Sequence, residues 1–246
     1  MTPFILEDTE FKLEDFFPEA IDRFSVSQKV YGIPRDTAPF ACIFYNKKLF
    51  DEAGVAYPTD DWNWDDFLQK AKKLTRVEDG RMVQYGFYGW AWQNFVYSNG
   101  GRIVDSVKNP KRCLLNDTNA IEGIKFYVDL IHKHKVAPAP LDLGNLGIGA
   151  QQLFMSGRLA MFSSGIWETP ILRKIKDFDW DVAMFPKGPK GIRGFGTGGS
   201  AYSILKTTSH PKECWEVIKC LAGRDGQIML AETGLAQPAI RDISEG

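Results

Sequence analysis

Apolar residues recur at helical spacing in two long segments of the chain. After Asn63, the apolar positions follow the i, i+3, i+4, i+7 pattern of one helix face: Trp64, Phe67, Leu68, Ala71 and Leu74. A second face begins after Asp117 or Thr118 and contains Ile121, Ile124, Val128 and Ile131. Because these capping residue types are favoured at helix N-termini, both segments are predicted to be helices. Shorter helices are predicted within residues 13–24, 93–101, 151–157, 165–175 and 209–223.

Short apolar or alternating segments between these helices predict β-strands. They are FACIFY (40–45), QYGFYGW (84–90), RLAMFS (158–163), FDWDVAMFP (178–186) and SAYSILK (200–206). Strands and helices therefore alternate along almost the whole chain, which is typical of α/β proteins. We expect an α/β fold with largely parallel strand pairing.

Composition and charge restrict the class of partner. The 246 residues are 44% apolar and 25% charged, which is enough for one large domain or two small ones. The formal charge of −1 provides no basic field for nucleic acid and no cationic strip for a membrane surface. No apolar run approaches the roughly 18 residues of a membrane span, and the acidic N-terminal segment is not a signal peptide. A neutral or small polar partner is favoured.

The cysteines and histidines show no metal-binding spacing. His132 and His134 lie two residues apart on a predicted helix and point to different faces, so they do not form a metal-binding pair. Two of the cysteines lie six residues apart on one helix, about 9 Å along its axis, which is too far for a disulfide. All four are expected to be buried as small apolar side chains: Cys42, Cys113, Cys214 and Cys220.

Signals for nucleotide binding or catalysis are weak. The segment GFGTGG (194–199) has the letters of the G-x-G-x-x-G motif, but a charged loop precedes it and a strand follows it. Dinucleotide binding needs a strand and then a helix, so the required context is absent. Asp36, Asp105 and Glu168 lie in loops or at element ends, where solvation is the ordinary explanation. A glycosidase-type pair of carboxylates stays open as an alternative.

The aromatic residues are more informative. Trp64, Trp180 and Trp215 lie on periodic apolar faces and are expected in the core. Trp90, Trp92 and Trp167 instead lie where predicted strands end beside glycine, which is where open α/β sheets form ligand crevices. A flat ring with a polar N–H suits the apolar face of a sugar, and neighbouring polar side chains suit its hydroxyls. A sugar-like ligand is therefore a hypothesis from residue types alone.

Six ordered motifs resemble one family across nearly the whole chain. They are YGIP…YNKKLFDEAGV (31–55), PTDDWNWDDFLQKAKKLT (58–75), YGF…WAWQNFVYSNGGRIVD (85–105), AIEGIKFYVDLI (120–131), FMSGRLAMFSSGIWE (154–168) and AYSILKTTSHPKECWEVIKCLAG (201–223). In this order and spacing, the chain resembles the extracellular solute-binding proteins of carbohydrate ABC importers, the family 1 group that includes maltose-binding protein.

The resemblance implies a periplasmic-binding-protein-like fold of type II, with two α/β lobes joined by a hinge. By this resemblance, residues 1–39 and 186–222 form lobe 1, and residues 40–185 and 223–246 form lobe 2. The three implied hinge crossings are residues 36–42, 181–186 and 221–226. Family members begin with a further stretch that this chain lacks and continue beyond its end. We therefore expect a chain truncated at both ends, with the N-terminal part of lobe 1 missing.

The resemblance also implies a set of ligand contacts. In the family, one aromatic residue after the YGF-like strand and one tryptophan after the G-x-x-A-M strand stack on the sugar, and they correspond to Trp90 and Trp167. A polar contact before the YNK strand corresponds to Asp36 or Thr37, and a glycine pair near the ligand to Gly198 and Gly199. The full expected ligand-binding set is Asp36, Thr37, Trp90, Trp92, Gln93, Trp167, Glu168, Gly198 and Gly199. No catalytic residue, metal or cofactor is expected.

The implied function is capture of a mono- or oligosaccharide and its delivery to the transmembrane subunits of an ABC permease. The implied location is extracellular or periplasmic, with lipid anchoring through a missing N-terminal segment as one option. Two alternatives of other classes stay open. One is a glycoside-processing enzyme with an aromatic cleft and paired carboxylates, and the other is an interaction module or fragment that binds no sugar.

Overall fold

The computed structural model describes the backbone of residues 1–245, with side chains for residues 1–144 and 147–245. The helices are α1 (Thr2–Glu7), α2 (Pro18–Arg23), α3 (Lys47–Glu52), α4 (Trp64–Lys73), α5 (Gln93–Ser98), α6 (Thr118–His132), α7 (Pro140–Leu146), α8 (Ala150–Met155), α9 (Thr169–Leu172), α10 (Pro211–Ala222), α11 (Arg224–Thr233) and α12 (Arg241–Glu245). The strands are β1 (Ser25–Val26), β2 (Lys29–Val30), β3 (Ile33–Pro34), β4 (Asp36–Pro39), β5 (Cys42–Asn46), β6 (Arg76–Glu78), β7 (Arg81–Gly89), β8 (Leu159–Ser164), β9 (Trp180–Met184), β10 (Thr197–Gly198), β11 (Ala201–Tyr202) and β12 (Gln237–Pro238). Single turns of 3-10 helix form at Leu13–Asp15 and Ile166–Glu168.

The chain folds into two compact units. Unit 1 consists of Met1–Pro39 and Thr197–Gly246, and unit 2 consists of Phe40–Gly196. The chain therefore passes from one unit to the other twice, after Pro39 and after Gly196.

Unit 2 is built on a five-stranded sheet in the order β6-β7-β8-β5-β9. Only the β7–β8 pair is parallel; β6–β7, β5–β8 and β5–β9 are antiparallel. The prediction of largely parallel pairing is therefore wrong. Alternation of strands and helices along the chain does not fix strand direction here, because β5 enters the middle of the sheet between two strands that run opposite to it.

Apolar side chains cover both faces of this sheet. On one face, Ile43 and Phe87 of the sheet pack with Phe67 of α4 and Phe95 of α5. On the other face, strands β5 and β8 pack against α8 and α9 through a second cluster that contains Phe44, Leu153, Phe154, Phe162 and Leu172. Burial of apolar surface on both faces is the main term that stabilises unit 2.

The predicted cap at Asn63 is confirmed, whereas Asp117 occupies the N-cap position of α6 without a side-chain capping hydrogen bond. Asn63 caps α4 through its side chain, which accepts from the backbone N–H groups of Asp65 and Asp66, and Asp66 completes a capping box. Asn46 caps α3 by accepting from Leu49 N at 3.2 Å. The helix predicted over residues 13–24 is shorter, since α2 begins at Pro18. Proline is tolerated in the first turn of a helix but not in its interior.

Unit 1 contains a three-stranded antiparallel sheet in the order β10-β4-β12 and a β11–β3 pair. Its C-terminal helices are tied to the N-terminal segment by the fully buried side chain of Gln227. That side chain donates to Pro34 O and accepts from Ala239 N and Ile240 N. The apolar core of unit 1 includes Trp215.

The expected lobes and the compact units divide the chain differently in two places. The lobe map assigns residues 186–196 to lobe 1 and residues 223–246 to lobe 2, whereas residues 186–196 lie in unit 2 and the described residues after 222 lie in unit 1. Gly246 lies outside the described residues. The physical reason is local: the Gln227 hydrogen bonds join α11 to the N-terminal segment. The correspondence of these units to the two lobes of a binding protein stays a prediction.

The burial predicted for the tryptophans agrees with the structure better than the burial predicted for the cysteines. The core prediction for Trp64 and Trp215 is confirmed, since both are 5% exposed, and Trp180 is half-buried against the second apolar cluster. The prediction that the cysteines are buried is wrong. Cys113 and Cys220 are exposed, Cys42 and Cys214 are half-buried, and all four are free thiols.

Within residues 1–245, every helix is too short or too polar to cross a membrane.

Candidate functional site

The carboxyl ends of β7 and β8 lie side by side at one edge of the unit 2 sheet. These two strands are parallel and in register, with Gly89 opposite Ser163. The chain leaves β7 directly into Trp90 and leaves β8 through Gly165 into Trp167. Since the carboxyl ends of adjacent parallel strands are a common place for ligand crevices, this edge is the candidate site of unit 2.

Trp90 is the most exposed tryptophan at this edge. Its surface is 42% exposed, although tryptophan is normally well buried. The Phe40 ring packs against it, with ring centroids 5.2 Å apart and 34° between the planes. Phe40 precedes β5, whose Cys42 lies opposite Ser164 of β8, so it belongs to the same edge of the sheet. Trp90 thus has a packed face and a solvent-accessible surface.

Trp167 is held by a hydrogen bond as well as by packing. Its indole lies directly over Gly165, where a Cβ atom would overlap the ring. Its Nε1 donates to Glu168 Oε1 at 3.2 Å. Glu168 is 7% exposed and also accepts from Ser164 Oγ at 2.8 Å and from Gln151 Nε2. Both carboxylate oxygens are therefore engaged by protein groups, and Glu168 orients the indole.

Two oxygen atoms near this edge have no protein partner. Gln93 Oε1 and Ser163 Oγ are buried and accept or donate no hydrogen bond within the described part of the chain. Gln93 is the first residue of α5, and Trp92, which is half-buried, is its N-cap residue. Tyr127 stabilises the end of β7, because its hydroxyl donates to Gly89 O at 3.0 Å and burial raises the pKa of this phenol.

The other predicted ligand residues lie in unit 1, around β4 and β10. Asp36 is 1% exposed. Its Oδ1 accepts from Ser200 N at 2.9 Å, and its Oδ2 forms an ion pair with Arg35 at 2.5 Å. The Ser200 bond connects β4 to the segment that follows β10. Thr37 is half-buried and pairs with Gln237 of β12.

The glycine pair at 198–199 accommodates protein groups. Gly198 pairs with Ala38 in the β10–β4 ladder. A Cβ on Gly199 would lie 2.6 Å from Asp36 O and 2.7 Å from Arg23 Nη1. Arg23 donates to the Gly198 carbonyl, and to Thr197 Oγ1 at 3.0 Å. Glycine at 199 thus allows Arg23 and the β4 backbone to approach β10.

The sequence GFGTGG (194–199) continues into strand β11, so the context for a nucleotide site is absent, as expected.

The three carboxylates singled out in the sequence are engaged by the protein. Asp36 and Glu168 are buried, so the expectation that they are solvated is wrong for both. Asp105 accepts from the backbone N–H groups of Ser106, Lys111 and Arg112, which lower the pKa of this carboxyl. Within the described side chains, His, Cys, Asp and Glu form no group of three or more that could hold a metal ion.

A cavity of about 620 Å³ opens elsewhere on unit 2. Its lining includes none of the predicted ligand residues. Four of the charged side chains in its lining form two ion pairs: Lys187 bonds Asp61 at 2.6 Å, and Lys125 bonds Asp129 at 2.6 Å. The Lys187 bond holds the pKa of Asp61 below its usual range. The indole in its lining, that of Trp64, is 5% exposed, whereas Trp90 is 42% exposed. We therefore favour the edge with Trp90 and Trp167 as the site.

Three residues of these sites were missed by the sequence analysis. In the sequence, Phe40 is one of several apolar residues of a predicted strand, and Ser163 is the last residue of another predicted strand. Arg23 lies on a predicted helix far along the chain from its partners at 197–199. Phe40 contacts Trp90 and Arg23 contacts Thr197, and each contact joins segments more than 45 residues apart. The sequence contains no local signal for either.

The sequence is similar to known proteins over most of its length. The family model for bacterial extracellular solute-binding protein matches residues 3–228. An uncharacterised lipoprotein of Streptomyces antibioticus is 30% identical over 218 residues, which cover 82% of this chain and 46% of the relative. The multiple sugar-binding protein of Streptococcus mutans is 24% identical over 212 residues, covering 80% of this chain and 48% of the relative.

A solved structure of similar fold is the ABC substrate-binding protein Lmo0181 from Listeria monocytogenes in complex with cycloalternan. The TM-score is 0.89 with 25% identity, and the match covers 99% of this chain and 62% of that protein. The prediction of an α/β fold of the periplasmic-binding-protein type is confirmed. The chain spans about half the length of the curated relatives it matches. It belongs to the bacterial extracellular solute-binding protein family.

Proposed function

We propose that this chain is part of the carbohydrate-binding component of an ABC importer. It binds a mono- or oligosaccharide by aromatic stacking and hydroxyl hydrogen bonds, and the whole protein delivers this sugar to the transmembrane permease subunits. It works outside the cytoplasmic membrane and carries out no catalysis. The single observation that carries the proposal is the exposed indole of Trp90 at the carboxyl edge of β7, beside Trp167 at the end of the parallel strand β8.

Aromatic rings at this edge suit the apolar face of a sugar. An exposed indole gains apolar burial when a flat ring covers it, and its N–H remains available to a polar group. Trp167 has used its N–H on Glu168, so it offers only its ring surface. Trp92, which is half-buried, adds a third indole two residues after Trp90.

Each unit, taken by itself, contains polar groups that suit sugar hydroxyls. In unit 2, Gln93 Oε1 and Ser163 Oγ have hydrogen-bonding capacity that no protein group uses. A buried polar atom without a partner is costly, so a ligand hydroxyl at these atoms would be stabilising. Asp36 and Glu168 already have protein partners, and their oxygens can accept a further hydrogen bond. Thr37, Gly198 and Gly199 complete the proposed set in unit 1.

The named ligands of relatives support the sugar class. The multiple sugar-binding protein and the Listeria protein bound to cycloalternan both have carbohydrate ligands in their names. Family membership supports the extracellular location, and one relative is named a lipoprotein.

Isothermal titration with a panel of sugars tests the proposal. The panel contains glucose, maltose, cellobiose, mannobiose and arabinobiose. We expect at least one to bind, and W90A to weaken its binding by about 1.5–3 kcal/mol, or roughly ten- to hundred-fold. Y31A is the matched control, because Tyr31 is an exposed aromatic residue of unit 1 with 58% exposure and is not a predicted ligand residue.

Three outcomes would count against the proposal. New reducing ends after incubation with the disaccharides would identify a glycoside-processing enzyme. Absence of binding across the panel by titration and by thermal shift would favour an interaction module. Equal affinities of W90A and the unmodified chain would remove the stacking role of Trp90.

A further inference from the structure

Trp90 is supported by a second ring. Phe40 packs against it at a centroid distance of 5.2 Å and a tilt of 34°. At this distance and tilt, Phe40 covers part of one indole face, while 42% of Trp90 stays exposed. The surface that a ligand meets is therefore the one that Phe40 leaves open. Its orientation depends on the position of the Phe40 ring.

The Phe40 ring in turn lies on Gly196. A Cβ atom at position 196 would overlap the ring, and the three atoms nearest to that Cβ all belong to Phe40. The backbone of Gly196 lies outside the left-handed region, so its conformation alone would admit alanine. What requires glycine at this position is the space occupied by the Phe40 ring.

A buried carboxamide fixes the backbone on both sides of this contact. Asn94 is fully buried. Its Nδ2 donates to Phe40 O at 2.7 Å, and its Oδ1 accepts from Gly196 N at 2.9 Å. Phe40 N donates to Gly196 O at 3.3 Å. Both backbone hydrogen-bonding groups of Phe40 are thus engaged within unit 2, and its ring has a defined seat.

We propose that Phe40, seated on Gly196 and held by Asn94, is the positioning residue that sets the plane of the Trp90 indole in the sugar site. This inference rests on the proposed function and adds to it a determinant of ligand shape. An indole fixed in one plane accepts a flat sugar face and disfavours a face from which an axial hydroxyl projects. Displacement of the Phe40 ring should lower affinity and also reduce discrimination between epimeric sugars.

A double-mutant cycle with F40A and G196A tests this coupling. Each single variant should weaken binding of the tightest sugar of the panel by about ten-fold, since each removes or displaces the support of Trp90. In the F40A background, G196A should have no further effect, because the ring that its methyl group would displace is gone. G144A is the control and should keep affinity within about two-fold of the unmodified chain, because a Cβ at Gly144 meets nothing within 4 Å. Thermal unfolding of every variant checks that the fold is intact.

A spectroscopic arm needs no sugar. The chain is labelled with 5-fluorotryptophan, and W90F identifies the Trp90 resonance among the seven tryptophans. F40A and G196A should shift the Trp90 resonance, whereas G196A in the F40A background should leave it where F40A placed it. A merely structural role of Phe40 would move resonances of the core, such as that of Trp64, at least as much.

The outcomes separate this inference from the proposed function. Additive effects of F40A and G196A, or a Trp90 resonance that neither variant moves, would overturn the positioning role. If W90A lowers affinity while F40A and G196A do not, the sugar site stands and the positioning role falls. If no sugar binds but the Trp90 resonance shows the non-additive pattern, the contact is confirmed and the proposed function fails.

Discussion

The two tryptophans at the edge of unit 2 are held in different ways. Trp90 is positioned by packing against Phe40, and 42% of its surface is exposed. Trp167 lies over Gly165 and is also held by a hydrogen bond from Nε1 to the buried Glu168. One indole depends on apolar contact, and the other depends in addition on a buried charge with three donors.

Because the two indoles are held differently, substitutions near them are expected to affect different properties of the protein. Packing between two rings involves no hydrogen bond, so its loss leaves no polar group unsatisfied elsewhere in the protein. A buried carboxylate with several partners is directional, and removal of one member leaves the others unsatisfied. We therefore expect changes around Trp167 to act mainly on the stability of unit 2, and changes around Trp90 to act mainly on ligand binding.

The largest effect is expected for E168A. This change leaves Ser164 Oγ, Gln151 Nε2 and Trp167 Nε1 without their acceptor. We expect the free energy of unfolding to fall by about 2–4 kcal/mol, measured by urea denaturation. E78A is the control, because the Arg76–Glu78 pair is exposed and such pairs contribute about 1 kcal/mol or less. Equal losses for the two variants would show that the Glu168 network is not a stabilising unit.

G165A should have the next largest effect. Its methyl group would overlap the Trp167 indole, and overpacking of this kind costs about 1–3 kcal/mol. The backbone of Gly165 has a negative φ, so the cost is steric. G144A is the matched control, since a Cβ at Gly144 meets nothing within 4 Å. Thermal and urea unfolding of both variants measure the difference, and equal stability would contradict the close seat of Trp167.

W90A should change stability by only about 1 kcal/mol, because much of the ring is already exposed. W167A should cost more, because it removes a half-buried ring and leaves Glu168 with one donor fewer. Urea denaturation of the two variants in parallel compares them directly. If W90A proves the more destabilising of the two, the contrast between a packed and a hydrogen-bonded ring is wrong.

The smallest effect concerns the thiol of Cys42, which lies opposite Ser164 in the sheet. Burial raises the pKa of this thiol, so less thiolate is present at a given pH than for an exposed cysteine. At pH 8 we expect iodoacetamide to modify Cys113 and Cys220 first and Cys42 about ten-fold more slowly. Peptide mass mapping over time measures each rate.

The same labelling also reports on the Glu168 network. In E168A, Cys42 should react faster while Cys113 keeps its rate, because only the edge next to Ser164 is loosened. An unchanged Cys42 rate in E168A would indicate that the network does not order this edge.

Local features of the fold were predictable from the sequence. The cap at Asn63 and the apolar face of α4 depend on residues within one helix, and the structure shows both. The glycine and aromatic residues after β7 and β8 correctly indicated strand ends. Strand direction was not predictable in this way. It depends on pairing between segments far apart, such as β5 with β8, whose residues are about 120 positions apart in the register that joins Ile43 to Ser163.

The chemistry of the site was predictable only in part. An unusual tryptophan at a strand end is visible in the sequence, and the structure leaves Trp90 exposed. The burial of Asp36 and Glu168 was not, because a charged residue near a loop is ordinarily solvated. Their partners come from other segments, as Ser200 does for Asp36. Phe40 had no distinguishing mark, since its contact with Trp90 exists only after folding.

The hydrogen bond between Phe40 N and Gly196 O has a consequence for the modular construction of the chain. These residues are the first and the last of unit 2, which is one uninterrupted segment, whereas unit 1 is assembled from both ends of the chain. Unit 2 therefore lies in the sequence between the two parts of unit 1, like an inserted domain, and a backbone hydrogen bond joins its first and last residues. The segment 40–196 contains Trp90, Trp167 and the Phe40 support, so the whole aromatic surface is encoded by one continuous stretch of sequence.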